Sequence, residues 1–423
     1  MPARAGRDAP TDQVGVDRVR VAVTGAAGPV ARLLIDRLTA DPSVGEVVAV
    51  DATAMSGDLF GDTPHGVRLV STDSCDPAVA TAFGGCDVVV HLDPDPVRQQ
   101  RPGPRPDELT TDAVTAGGLP PMGRSSGDGA GPTPDPASSG TATGPELELL
   151  APVPAGRAVR AAQTVLTAAA AAGVRTVVLV TSAMVYGAGG DGAVLLGEDE
   201  LPAADPVSPM LRDMLEIERV AAAAGRTHPG LGAAVLRPAA LVGPGVDTLV
   251  TRHFESPRLL TVRGAAMRWQ FCHLDDLVAA LQLAATRPLR GALTVASTGW
   301  LAQEEVERLS GLSRVELPES LAFGTAERLH RLGLTPAPAG ELRFVTRPWV
   351  VPSTRLRDAG WRPLWDNADA FSVLLEEARG RVALAGRRIG RRETATLSAA
   401  GATVAVLGTA AIVRRARRAR RRG

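Results

Sequence analysis

A glycine-rich turn, Thr24-Gly25-Ala26-Ala27-Gly28-Pro29-Val30-Ala31, is followed 20 residues beyond Ala31 by a carboxylate, Asp51. In Gly25-x-x-Gly28-x-x-Ala31 the first glycine permits a tight turn and the second lets backbone approach a pyrophosphate. A small third residue lets the following helix pack closely on its strand, and the start of that helix offers N–H groups and partial positive charge to phosphates. Asp51, at the end of the next strand, would accept from both ribose hydroxyls and repel a 2′-phosphate, which favours NAD over NADP. This is the chemistry of a dinucleotide site. The competing reading is a unit that keeps the shape and has lost the ligand.

Missing residue types exclude other chemistry. The chain has 423 residues and no lysine, so all 46 basic residues are arginine; Tyr186 is the one tyrosine and Asn367 the one asparagine. No Schiff base to a carbonyl or to pyridoxal phosphate can form, and neither a P-loop lysine nor a kinase strand lysine exists. Cys75, Cys86 and Cys272 are scattered, as are the six histidines, so no metal site is expected and the thiols read as reduced core residues. Net charge is zero, yet residues 379–423 hold 13 arginines against Glu393 alone, leaving 1–378 at −12. An acidic body argues against nucleic acid as a partner.

These residues need elements to hold them. Arg18–Val23 runs as a strand into the glycine turn, Leu33, Leu34, Ile35 and Leu38 carry a helical pattern, and Val47–Val50 forms a second strand ending in Asp51. Further strands are expected at Val67–Val70, Val88–Leu92, Val177–Thr181 and Val235–Arg237, with helices at Ala158–Ala172 and around Met214–Ala223. Repeated strand–helix alternation with nearly continuous apolar strands predicts an α/β fold, a doubly wound parallel sheet of Rossmann type. We divide the chain into an arm at 1–17, polar, without an apolar signal-like run and expected to be disordered, and a dinucleotide-binding domain at 18–247. A small substrate lobe with closing helices at 248–378 and a basic tail at 379–423 complete it. Residues 94–156 hold 13 prolines, 10 glycines and no aromatic residue, and are expected to be a largely disordered insert at the ligand-binding edge of the sheet.

From about Val19 to Gly380, apart from the insert, the order of motifs resembles the NAD-dependent epimerase/dehydratase group of the extended short-chain dehydrogenase/reductase family. Within it the chain is most similar to actinobacterial UDP-glucose 4-epimerase-like members. Thr24-Gly25-Ala26-Ala27-Gly28 resembles the family's TGxxGxxG turn, and Asp73 its adenine-contacting aspartate. Cys86–Leu92 resembles its DxVxHLA strand, and Thr181–Gly187 its SSAxVYG segment. Leu236-Arg237-Pro238, Val242–Gly245, Phe271–Asp276 and Ala359–Pro363 resemble later family segments. The resemblance implies NAD as cofactor, held by Thr24, Gly25, Gly28, Pro29, Val30, Asp51, Asp73, Leu92, Ser182 and Pro238. It implies a nucleotide sugar or another small hydroxyl compound as substrate, transient hydride transfer as the reaction, Ser182 as a catalytic residue, and leaves room for a homodimer.

The acid/base pair of that chemistry is absent. The expected SPYxxxK stands as Ser208-Pro209-Met210-Leu211-Arg212-Asp213-Met214, and thioethers carry no transferable proton. Ser182 alone remains of the usual set. Tyr186 is the family's YG tyrosine, with a role beside the substrate as one reading and packing as the other. Asp93 replaces a small residue near the path of the nicotinamide ribose. Asp213, Glu216 and Glu218 share the helix of the missing pair, and Glu218 is expected at the surface or as a cap. His273 and Asp276 are expected to stabilise a turn. Arg268 stands one position away from an arginine that contacts the substrate diphosphate in related epimerases.

Thr394–Val413 is a 20-residue run without charge, between Arg391-Arg392-Glu393 and the arginines of 414–422. As a helix it would be about 30 Å long, the thickness of a bilayer core. Its alanine, glycine and threonine content makes it only marginally apolar, so a helix lying on anionic lipid, a true span and a plain basic tail all stay open. The expected location is cytoplasmic, with membrane association through this segment. Two functions remain: an epimerase, dehydratase or oxidoreductase with a departed active site, or a catalytically silent NAD-binding sensor or scaffold at the membrane.

Overall fold

The computed structural model describes residues 18–53, 66–94, 156–189, 197–198, 200–332, 335 and 337–379, with backbone alone at 383–384 and 387–388. The arm, nearly all of the insert and the 394–413 segment lie outside these residues.

Strand β1 (Val19–Thr24) feeds the glycine turn, helix α1 (Pro29–Thr39) and β2 (Val44–Asp51). β3 (Val67–Ser71) and β4 (Val88–His91) follow, then α2 (Arg157–Ala171), β5 (Thr176–Val180), α3 (Pro209–Thr227) and β6 (Gly232–Pro238). Seven parallel strands lie in the order β11 (Gly291–Val295)-β6-β5-β4-β1-β2-β3. Both faces are covered, which explains the unbroken apolar runs. Val21 and Val23 point to one core with Leu34 and Ile35 of α1, whereas Ala22, Val48 and Val89 point to the other with Ala162 and Val165 of α2. The doubly wound architecture expected from sequence is the one observed.

The seventh strand, β11 (Gly291–Val295), lies inside the stretch assigned from sequence to the lobe. It pairs with β6 from Ala234↔Gly291 to Pro238↔Val295, so the lobe is built from chain on both sides of a sheet strand. Its other elements include β7 (Ala240–Val242), α4 (Leu249–Phe254), β8 (Leu259–Val262), β9 (Arg268–Trp269), β10 (Phe271–His273) and α5 (Leu274–Thr286). Phe254, Trp269, Phe271 and the Phe371 ring of helix Asn367–Ala378 pack together with centroids 4.8–6.4 Å apart, giving the lobe an aromatic core. Among the described residues no helix is long and apolar enough to cross a membrane.

Candidate cofactor and substrate site

The glycine turn is pressed against the end of β4. Gly25 has φ +72°, and a Cβ there would fall 2.5 Å from the Leu92 carbonyl oxygen, so only glycine fits. Gly28 donates to the Gly25 carbonyl at 3.0 Å and caps α1 without a side chain; Pro29 follows as the first helical residue, and Val30 packs into the core. Asp51 sits beside the turn: Oδ2 accepts from Ala27 N (3.0 Å) and Oδ1 from Thr53 N (2.9 Å). Thr24, buried under the turn, shares a 2.7 Å hydrogen bond with His91 Nδ1. Burial lowers the His91 pKa to about 4, so the ring is neutral near pH 7, and its Nε2 has no partner among the described residues.

Asp73, after β3, accepts from Cys75 N (2.8 Å) and from Arg157 Nη2 (2.9 Å). Arg157 opens α2, and its Nη1 donates to Asp93 Oδ2 at 2.8 Å, an oxygen that also accepts the Ser74 hydroxyl. Burial works to raise the Asp93 pKa, but His91, Ser74 and Arg157 outweigh it and the carboxyl stays below its ordinary value. Neither Arg157 nor Ser74 stood out in the sequence.

Ser182 follows β5 and begins the short turn Ala183–Tyr186. Its Oγ accepts from Met184 N (3.2 Å) and donates to the Pro238 carbonyl (3.5 Å). It lines a cavity of about 40 Å³ together with Met184, Met210, Leu241, Phe344 and Trp349. The lining is apolar apart from the hydroxyls of Thr181, Ser182 and Thr248, and holds no charged residue. Met210 reaches this cavity because Ser208 caps α3, accepting from Leu211 N at 3.3 Å, and Pro209 sets its first turn. Met214, one turn on, is buried in the main core.

Tyr186 does not line the cavity. Its hydroxyl accepts from Arg237 Nη1 (2.5 Å) and donates to the Glu198 carbonyl (3.4 Å). Burial raises its pKa, with Arg237 pulling the other way, so it stays protonated. Glu218, expected at the surface or as a cap, is buried at 6% exposure against Arg237 at 5%. Arg237 grips it with two bonds of 2.8 and 2.7 Å, and Thr181 Oγ1 adds a third at 2.6 Å. Glu218 faces inward because α3 buries Leu211, Met214 and Ala221 on the same stripe. Asp213 accepts from Gly156 N at 3.0 Å, and Glu216 binds Arg219 at the surface.

His273 Nδ1 accepts from Asp275 N, its ring stacks on Trp365 at 3.9 Å, and the Asp276 carboxylate accepts from Leu364 N and Trp365 N. Both therefore hold a turn, as expected. Arg268 lies over the Trp300 ring at 5.2 Å and does not line the cavity.

Residues 154–295 match the model of the NAD dependent epimerase/dehydratase family. Uncharacterized proteins of Mycobacterium tuberculosis and Mycobacterium bovis are 27% identical over 357 residues, covering 83% of this chain and 82% of theirs. Among solved structures, MoeE5 in complex with UDP-glucuronic acid and NAD matches with a TM-score of 0.53 at 22% identity, over 85% of this chain and 99% of that one. A dTDP-glucose 4,6-dehydratase from Streptomyces venezuelae, DesIV with NAD and TYD bound, gives 0.53 at 19%, over 85% and 97%. The UDP-glucuronic acid 4-epimerase from Bacillus cereus in complex with NAD gives 0.52 at 14%, over 85% and 99%. At these identities the structural likeness is one of fold. Residues 154–295 thus resemble the NAD dependent epimerase/dehydratase family, and the chain shares the Rossmann-like fold of these solved structures.

Proposed function

We propose that this chain is an NAD-binding protein of the epimerase/dehydratase type whose active site has lost proton transfer. The turn suits the cofactor: Gly25 brings backbone against Leu92, and Asp51 stands beside Ala27 at the end of β2. Thr24, Gly25, Gly28, Pro29 and Val30 would form the pyrophosphate cradle. Asp51 would take the adenosine ribose, Asp73 and Leu92 the adenine side, and Ser182 and Pro238 the nicotinamide side. Bound NAD would supply a hydride acceptor. Ser182 would offer a hydroxyl to a substrate oxygen, with no acid or base among the described residues of the cavity to take the proton.

The observation that carries this reading is Met210 lining the cavity beside Ser182. A thioether there can exclude water and touch an apolar group, and it cannot act as acid or base. Hydride exchange would then rest on proximity alone. A nucleotide sugar is the substrate class that the family and the structural neighbours suggest. The silent sensor or scaffold is the second reading, favoured by Tyr186 being tied to Arg237 outside the cavity. Contact of the 394–413 segment with anionic lipid from the cytoplasm, and a homodimer, belong to this proposal and not to the described structure.

Calorimetric titration of the full chain with NAD⁺, NADH and NADP⁺ tests it. NAD(H) binds and NADP⁺ is rejected, and Asp51→Asn weakens the first while admitting the second. Absence of binding by all three overturns the cofactor reading. Conversion of UDP-glucose at an ordinary enzymatic rate overturns the loss of proton transfer.

A further inference from the structure

β3 and β4 are not neighbours in the sheet: β1 and β2 lie between them. At about 4.8 Å per strand interval their ends stand about 14 Å apart. Nevertheless the segments leaving them are tied together. Asp73 lies two residues past β3 and Asp93 two residues past β4, and the Arg157 guanidinium joins them with bonds of 2.9 and 2.8 Å. Ser74 adds a direct bond to the same Asp93 oxygen. The tie lies beside the glycine turn, since a Cβ on Gly25 would fall 3.2 Å from Asp93 N, and this edge is where open α/β sheets take their ligands.

We propose that Arg157 is the bar of a latch at the cofactor crevice: the Asp73–Arg157–Asp93 tie holds the crevice closed beside the glycine turn and must open for a dinucleotide to seat. This rests on the NAD-binding reading above. The strength suits the role. Side-chain exposures of 23% for Arg157 and Asp93 and 44% for Asp73 make the tie neither fully buried nor a loose surface pair. A ligand can open such a contact, yet while closed it lowers apparent affinity by the fraction of molecules that are open. The opposite role, Arg157 as a preformed wall of the adenosine site, gives the opposite sign when the tie is cut.

The test is the charge-neutral double variant Asp93→Ala/Arg157→Ala, which removes both Arg157 bonds and the Ser74 bond without changing net charge. Titrated with NAD⁺ as the full chain, it binds about tenfold more tightly than the parent, as expected for an equilibrium about nine-tenths closed. The milder charge-neutral pair Asp93→Asn/Arg157→Gln keeps polar side chains at both positions, guards against misfolding of the first variant, and moves affinity in the same direction. Equal or weaker binding by the folded variants, with the parent binding, overturns the latch alone. If neither parent nor variant binds NAD⁺, the cofactor reading falls and the latch falls with it.

Discussion

Glu218→Ala should be the most destabilising single exchange among the carboxylates of α3. Glu218 and Arg237 are 6% and 5% exposed, and the glutamate accepts three hydrogen bonds, two from Arg237 and one from Thr181. Removing the carboxylate leaves a buried guanidinium held by the Tyr186 hydroxyl, and Thr181 without its acceptor. Breaking a buried pair from one side typically costs about 3–5 kcal/mol, because the remaining charge is stranded away from water. Replacing both partners by apolar residues is typically far milder. Urea unfolding should therefore give a loss of about 4 kcal/mol for Glu218→Ala and a smaller loss for Glu218→Met/Arg237→Met. Glu216→Ala is the control: it cuts a surface pair with Arg219 and should cost less than about 1 kcal/mol. A Glu218→Ala loss below about 1 kcal/mol, or a double variant as unstable as the single, would refute the view that burial and pairing set the energetics here.

Acidification should weaken the fold through His91, which takes its proton near pH 6.5 unfolded and near pH 4 folded. The unfolded chain binds more protons between those values, so this ring alone removes about 2–3 kcal/mol of stability from pH 7 to 4.5; buried His253, lowered to about 4 as well, adds its own share, and His91→Gln should remove only the first. Gly25→Ala should cost about 1–3 kcal/mol for its φ of +72° and more for the clash with Leu92, and should abolish NAD⁺ binding in calorimetry. Gly264→Ala, at φ +77° with open space around the added carbon, should pay only the first part and leave binding intact. Met210→Tyr/Met214→Lys should not epimerise UDP-glucose in a chromatographic assay, because the cavity of about 40 Å³ has an apolar lining and Met214 is buried in the core; turnover would show that the pair was all that was missing.

The sheet was legible in the sequence because burial on both faces writes itself as unbroken runs such as Val47–Val50. The glycine turn was legible because φ and close approach leave no alternative at Gly25. β11 was not, because Gly291–Val295 is a short apolar run like those of the lobe, and its pairing with β6 is decided in tertiary space. Glu218 left a signal that went unused: it stands seven residues after Leu211 and four after Met214, on the core stripe of α3. Arg237, inside an apolar strand, was the matching half. Arg157 left none, since its partners lie 64 and 84 residues away.

Among the described residues, five carboxylates around the sheet are already engaged. Asp51 holds the amides of Ala27 and Thr53, Asp73 and Asp93 hold Arg157, and Glu218 holds Arg237. Glu198 accepts from Thr294 and from Arg355 N. A general base must come within hydrogen-bond reach of the proton it takes, directly or through one water. None of these carboxylates lines the cavity beside Ser182, and freeing one would undo a tie that shapes the sheet edge. Two methionines alone would mark a damaged enzyme, repairable by restoring two side chains. With these charges committed to structure as well, the proposed reading expects a site that holds a dinucleotide without moving protons, and ligand affinity should respond to substitution here far more than turnover does.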